Sequence, residues 1–368
     1  MKILLIGKYP PMQGGISSKT YWLYKGLKKK GFEFKIVTFQ DRKYSVQGLD
    51  NNSDIIALNE KEPPWHIPST SLLADRLINF SFKTVEYFSP DIIEVNYLWP
   101  FCNVGLIISK MINKPFFIRH AGSDIHKFKY DIEFREIMSL YFNSAKVIAT
   151  NVTSKQFTEE IAINPEKILC VPRYIPDPCI FRRGPTNTKK SYDILFAGKI
   201  NYYWKRKGIM LLLEIIRKRK LKALFHIGGK YVNEVLDLIS SKELDGYIKV
   251  NSYVPPDQMP QIYNSCRYVW CYEEEDTIDD FSNILWEAIF CGVPCIVNSN
   301  VFGKAEMTDI MLKFPHLVHQ ISSDKFNDFE FRNSESPLSD SKEVKLHLFN
   351  EYIKTNIGVY QEALKGSL

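Results

Sequence analysis

Asp279 and Asp280 stand directly before Phe281-Ser282-Asn283, and Glu287 follows about one helical turn later. Carboxylates placed this way around a polar loop can accept hydrogen bonds from hydroxyls. Ser282 and Asn283 suit an N-cap, because a short side-chain oxygen takes up a free backbone N–H there. Ile284, Leu285, Ala288 and Ile289 predict a helix that is apolar on most sides and therefore buried. Gly292 suits the left-handed position after such a helix, and Pro294 forbids its continuation. The start of a buried helix presents N–H groups and the positive end of a dipole, which together make an anion site. A diphosphate flanked by sugar hydroxyls fits both halves of this arrangement. The bland alternative is an ordinary αβ unit whose acidic loop is merely solvated.

A second set of groups answers this one. Lys199, Lys205, Arg206 and Lys207 put four cations within nine residues, directly after the apolar run 193–198. Cations at the mouth of a parallel strand make a cradle for phosphate, with a solvated basic loop as the alternative. Gly14 and Gly15 follow the first apolar run, 2–6, where glycines let backbone approach a ligand and open a helix N-terminus. The dinucleotide pattern G-x-G-x-x-G is not present. His120 follows the run 116–119 and precedes Gly122, so it should project into the cleft at a strand's carboxyl end. A structural histidine is its alternative, and Arg119 and Asp124 beside it are open between the two readings.

The elements that must hold these groups read as repeated αβ units. Apolar runs at 2–6, 34–39, 91–95, 116–119 and 147–150 predict buried strands, with helices at 17–30, 104–112, 131–143 and 153–161. Pro172, Pro176, Pro178 and Pro185 punctuate a connector. A second series follows, with strands at 193–198, 224–228, 248–253 and 268–271, and helices at 232–240 and 259–265. The fold class is therefore α/β with two Rossmann-like domains, 1–175 and 186–344. Residues 41–70 read as a polar, turn-rich excursion and 320–342 as loop.

A chain of 368 residues favours two domains over one core. Hydrophobic content of 45% with 24% charged residues is that of a soluble globular protein. The net charge of +6 is mild. It suits small anionic ligands or an acidic membrane surface and is too diffuse to argue for nucleic acid. Lys28-Lys29-Lys30 and the basic run 217–220 sit at helix ends, where cations complement the dipole. Seven cysteines without C-x-x-C spacing read as reduced thiols rather than metal ligands. Neither a signal peptide nor a membrane span is visible, which points to the cytoplasm and leaves peripheral contact at the inner face of a membrane open.

From Phe281 to Pro294 the chain resembles the E-x7-E signature of GT-B glycosyltransferases, in particular the retaining family GT4. That pattern reads acidic-Gly-Phe-Ser/Gly-x-x-x-x-Glu-Ala-x-x-x-Gly-x-Pro. Asp279 stands where the first Glu is expected, and Asp280 where Gly is common. The run from Lys199 to Gly208 resembles the family's Gly-Arg-x-x-x-x-Lys-Gly loop, with Lys199 and Lys207 in the cationic places. An insertion around Tyr202-Tyr203-Trp204 leaves Lys205 and Arg206 open as substitutes for Lys207. Pro11-Met12-Gln13-Gly14-Gly15-Ile16 is similar to the family's N-terminal glycine loop.

The resemblance implies a GT-B fold, two Rossmann-like domains facing each other across a cleft, with a last helix at about 345–368 returning to the first domain. It implies transfer of a sugar, with retention, from a nucleoside-diphosphate sugar to a saccharide or lipid-linked acceptor in surface polysaccharide or glycan synthesis. Asp279 would hold sugar hydroxyls, Glu287 the ribose, and His120 the donor sugar. Tyr253 and Val254 would edge the nucleobase. Gly14, Gly15, Arg206, Phe281, Ser282 and Asn283 would complete the donor site. No Asp-x-Asp motif follows a strand, so no cofactor or metal is expected beyond the donor itself. A sugar-nucleotide epimerase and a degenerate, non-catalytic sugar-nucleotide binder stay open as alternatives. A nicotinamide oxidoreductase lacks its glycine fingerprint.

Overall fold

The computed structural model describes the chain except residues 11, 13, 41–52, 60–66, 121–123, 126–130, 152–153, 162–163, 173, 186–189, 202–203, 253, 275–282, 299–304, 323–324, 327–328, 332–341 and 366–368. Short apolar runs bounded by polar turns form two all-parallel sheets. The first has the order β3-β2-β1-β4-β5-β6-β7. Its strands are β1 Lys2–Gly7, β2 Glu33–Gln40, β3 Ile55–Asn59, β4 Ile92–Asn96, β5 Phe116–Arg119, β6 Val147–Thr150 and β7 Ile168–Cys170. The second has the order β10-β9-β8-β11-β12-β13. It is built from β8 Tyr192–Lys199, β9 Ala223–Gly228, β10 Ile248–Asn251, β11 Cys266–Trp270, β12 Cys295–Asn298 and β13 Val318–Ile321.

Helices between the strands cover the sheets, and for that reason β1, β4, β5 and β6 are buried almost throughout. In each sheet the chain winds outward one way from its first strand and then reverses. The reversal lies between β1 and β4 in one sheet and between β8 and β11 in the other, and such switch points are where α/β sheets bind ligands.

Two expectations are corrected. The stretch 41–70 is not all excursion: Ile55–Asn59 forms the edge strand β3, in register with β2, and the helix Ile67–Phe88 begins before residue 70. Four apolar residues, Ile55 to Leu58, suffice for an edge strand but are too few to show a period against polar surroundings. Likewise β13 pairs with β12 and extends to Ile321, inside the stretch read as loop.

The chain divides into two compact units. One holds Met1–Tyr174, Ile278–Asp280 and Asn350–Leu368; the other holds Ile175–Thr277 and Phe281–Phe349. In the first unit the C-terminal helix, Lys342–Leu364, contributes Asn356 and Tyr360 to a buried polar knot. Arg119 Nε donates to Glu94 Oε1 at 2.7 Å, and Arg119 Nη1 donates to Asn356 Oδ1 at 2.7 Å. The Tyr360 hydroxyl donates to the other Glu94 oxygen. Arg119 is therefore part of the fold's interior. Its guanidinium pKa is raised further by the Glu94 charge, against the opposing effect of burial.

Candidate functional site

In the second unit, β8 carries an apolar middle into the centre of the sheet and delivers Lys199, half-buried, to its carboxyl end. The next residues are pinned by backbone groups. Ile200 N–H donates to Gly228 O at 2.7 Å, and Asn201 Oδ1 accepts from Lys230 N–H at 3.0 Å. A 3-10 turn, Trp204–Lys207, follows; its Trp204 is buried, and Trp270 Nε1–H donates to the Lys207 carbonyl at 2.9 Å. This turn aims the Lys207 ammonium back over the strand: Nζ lies 3.0 Å from where a Cβ on Gly198 would stand. Lys207 therefore reaches the strand end that Lys199 occupies. Arg206 is drawn aside, with Nε 3.7 Å from Glu273 Oε2. Lys205 is exposed, its ammonium 5.9 Å from the Trp204 ring. Of the three cations the sequence left open, Lys207 is the one folded onto β8.

The helix Asn283–Phe290 lies in the same unit, with Leu285 through Phe290 buried. Gly292 follows at φ 68, the left-handed value expected of it. Lys345 Nζ, 3.3 Å from Phe290 O, complements the negative end of the dipole. Asn283 opens the helix, while Asp279, Phe281 and Ser282 lie outside the described residues, as does Tyr253. Val254 is half-buried beyond β10.

Glu287 is only 3% exposed, because a helix apolar on most sides sinks into the unit. Its Oε2 accepts the Tyr263 hydroxyl at 2.7 Å. Burial, and then the Glu287 charge, push the Tyr263 phenol well up, so it stays protonated and keeps donating. Tyr263, on the short helix Met259–Asn264, thus orients Glu287. A tyrosine 24 residues upstream gave no sign of this in the sequence.

In the first unit the loop after β1 is stapled to β4. Asn96 Oδ1 accepts from Lys8 N–H at 2.6 Å, and its amide donates to Lys8 O and to Thr20 Oγ1. A Cβ on Gly7 would stand 1.8 Å from Asn96 Oδ1, so only glycine permits the staple. Gly14 caps the helix Gly15–Lys28 at φ 128. Lys8 Nζ lies 3.6 Å from the Tyr97 ring centroid, and Tyr97 holds φ 86, a strained value for a non-glycine, at the carboxyl end of β4.

His120, expected to project from β5, has its side chain wholly buried. Its Nε2 is 3.2 Å from Thr158 Oγ1, and its Nδ1 is 3.9 Å from Asp124 Oδ1. Asp124 accepts the backbone N–H groups of Leu98 and Ile125, each at 3.1 Å. The signal available for Asn96 was a polar residue closing an otherwise apolar strand; for Thr158 there was none.

Comparison with known proteins adds to this geometry. Residues 191–314 match the family model described as Glycosyl transferases group 1. No curated protein matches the chain in sequence. Among solved structures, sucrose-phosphate synthase from Thermosynechococcus elongatus is similar with a TM-score of 0.64 at 12% identity, covering 97% of this chain and 100% of that one. Anabaena HepE in complex with UDP-glucose gives 0.63 at 15% identity, covering 100% and 92%. The UDP-GlcNAc 2-epimerase of Methanocaldococcus jannaschii gives 0.54 at 13% identity, covering 95% and 100%. Likeness at these identities speaks to architecture, and it extends over nearly the whole chain: the protein has the GT-B fold, two Rossmann-like domains, with its Glycosyl transferases group 1 match in the second.

Proposed function

We propose that the protein is a retaining glycosyltransferase of the GT4 type. It would move a sugar from a nucleoside-diphosphate sugar to a saccharide or lipid-linked acceptor in surface polysaccharide or glycan synthesis. The observation that carries this reading is the Lys207 ammonium folded over the end of β8, beside Lys199. Sugar transfer develops positive charge at the anomeric carbon and negative charge on the departing diphosphate. Fixed cations at the leaving group lower that barrier without a metal. Glu287 would hold the ribose and Asp279 the sugar hydroxyls, and the departing phosphate would take the acceptor proton, so no separate base is needed.

The test is release of nucleoside diphosphate from a panel of UDP-, GDP-, ADP- and CDP-sugars in EDTA, with acceptor oligosaccharides or lipid-linked sugars present. Wild-type protein is expected to release diphosphate and form a glycosylated acceptor. Glu287→Gln and Asp279→Ala are expected to slow this at least about tenfold, the loss of one hydrogen bond to a hydroxyl. Full activity in both variants removes them from the site. Epimerised nucleotide sugar formed without any acceptor would make the protein an epimerase instead.

Contact with an anionic membrane belongs to the same proposal. No helix among the described residues is long and apolar enough to cross a membrane. On the helix Ile67–Phe88, however, Arg76, Phe80, Lys83 and Tyr87 fall on one line, and all four are exposed. Cations alternating with aromatic rings suit a lipid headgroup layer. Arg76→Ala with Lys83→Ala is expected to weaken co-sedimentation with phosphatidylglycerol vesicles roughly thirtyfold, at about 1 kcal/mol per basic residue. Equal partitioning of variant and wild type would end the idea.

A further inference from the structure

His226 interrupts the apolar strand β9, Ala-Leu-Phe-His-Ile-Gly. It is 6% exposed, and its Nδ1 is buried without a hydrogen-bond partner among the described residues. Burial lowers the imidazole pKa to about 4, so the ring is neutral near pH 7. An unpaired buried lone pair costs less than an unpaired buried N–H. The single ring proton therefore belongs on Nε2, which makes that nitrogen a donor.

Strand register fixes the face it stands on. Val269 pairs with Cys295 and with Leu195, and Leu195 pairs with Leu224, so these four side chains share one face. Cys295 Sγ is 3.9 Å from Leu285 O, which puts the helix Asn283–Phe290 on that face. Two residues further along the strands, Ala197, His226 and Asn251 make the next row of the same face, toward the carboxyl ends. Phe196, Phe225 and Ile227 turn the other way, into the core formed with the helices Ile209–Arg219 and Val232–Ser241. His226 thus stands at the carboxyl side of the face that carries the Glu287 helix. Half-buried Asn251 is beside it, and Val254 lies three residues beyond Asn251.

We propose that His226 is a specificity-determining residue that donates from Nε2–H to a carbonyl oxygen on the edge of the donor's nucleobase. The inference rests on the nucleotide-sugar reading above and adds the class of base. A fixed N–H donor meets an acceptor on uracil O4 or guanine O6 and opposes the amino group of cytosine or adenine. It therefore selects UDP and GDP over CDP and ADP. A site built around one such bond discriminates because the mismatched base leaves a buried donor unpaired.

The experiment is calorimetric titration of the full chain with UDP, GDP, CDP and ADP. Wild type is expected to bind UDP or GDP about tenfold tighter than CDP and ADP. His226→Phe removes the donor and is expected to bring the four affinities within about twofold of one another. His226→Gln, whose amide nitrogen can take the place of Nε2, is expected to keep the preference. His226→Leu serves the same purpose as the phenylalanine variant should the larger ring not fit, and unfolding without ligand checks each fold. The inference alone is overturned if His226→Phe or His226→Leu keeps the wild-type ratios, or if wild type prefers CDP or ADP. Absence of binding by wild type to all four overturns it together with the nucleotide-sugar reading.

Discussion

Replacing Lys207 by alanine is expected to lower kcat/KM for sugar transfer by about 100- to 1000-fold, the range seen when one preorganised group facing developing charge is removed. The size of the effect comes from placement. The ammonium is held over the end of β8 by a turn whose own anchors are buried Trp204 and the Trp270 indole, which binds the Lys207 carbonyl rather than its side chain. Truncating the side chain therefore leaves those anchors intact, and unfolding of the second unit should stay within about 0.5 kcal/mol of wild type. Lys205→Ala, at an exposed position, is the control and should cost no more than about threefold, the scale of a surface charge. Steady-state kinetics with the donor identified from the panel decide the matter. Equal losses in the two variants, or none in Lys207→Ala, would detach this lysine from the leaving group.

The second large effect concerns stability. Arg119→Met keeps the length of the side chain and leaves Glu94, 1% exposed, without its guanidinium. A buried ion stripped of its partner costs about 3–5 kcal/mol. For a unit of this size that corresponds to a fall in Tm of roughly 6–20 °C. Glu94→Gln combined with Arg119→Met removes both charges and is expected to recover most of the loss, since a neutral amide can still accept the Tyr360 hydroxyl. Calorimetric scans of the single and double variants measure this. If Arg119→Met unfolds within 2 kcal/mol of wild type, the ion pair is not the anchor described, whereas failure of the double variant to recover would assign the loss to packing.

How far the sequence foretold this depends on distance along the chain. The runs that became β1, β5, β6 and β8 were legible because each is bounded by turn residues and carries at least four consecutive buried residues. The helix Asn283–Phe290 and its Gly292 stop were legible from local chemistry alone. Lys199 and Lys207 could be named from their spacing, yet only the fold of the Trp204–Lys207 turn separates Lys207 from Arg206 and Lys205. What escaped depends on partners far away. Arg119, at a strand end, was open between a cleft role and a structural one, and Glu94 and Asn356, at separations of 25 and 237 residues, take it into the interior. Glu287 looked open to the cleft until Tyr263 took one of its oxygens. His226 was passed over within the strand 224–228, and only strand register gives it a direction.

The membership of Asn350–Leu368 in the first unit has a consequence for synthesis. Residues up to Tyr174 leave the ribosome with Glu94 and Arg119 already present, but Asn356 and Tyr360 follow only after the whole of the second unit has been translated. At about 5–20 residues per second that gap lasts roughly ten to forty seconds. Throughout it the nascent amino-terminal sheet must shelter an ion pair whose remaining hydrogen-bond partners do not yet exist. The second unit, contiguous apart from three residues, meets no such delay, so the half of the protein made first is the half completed last.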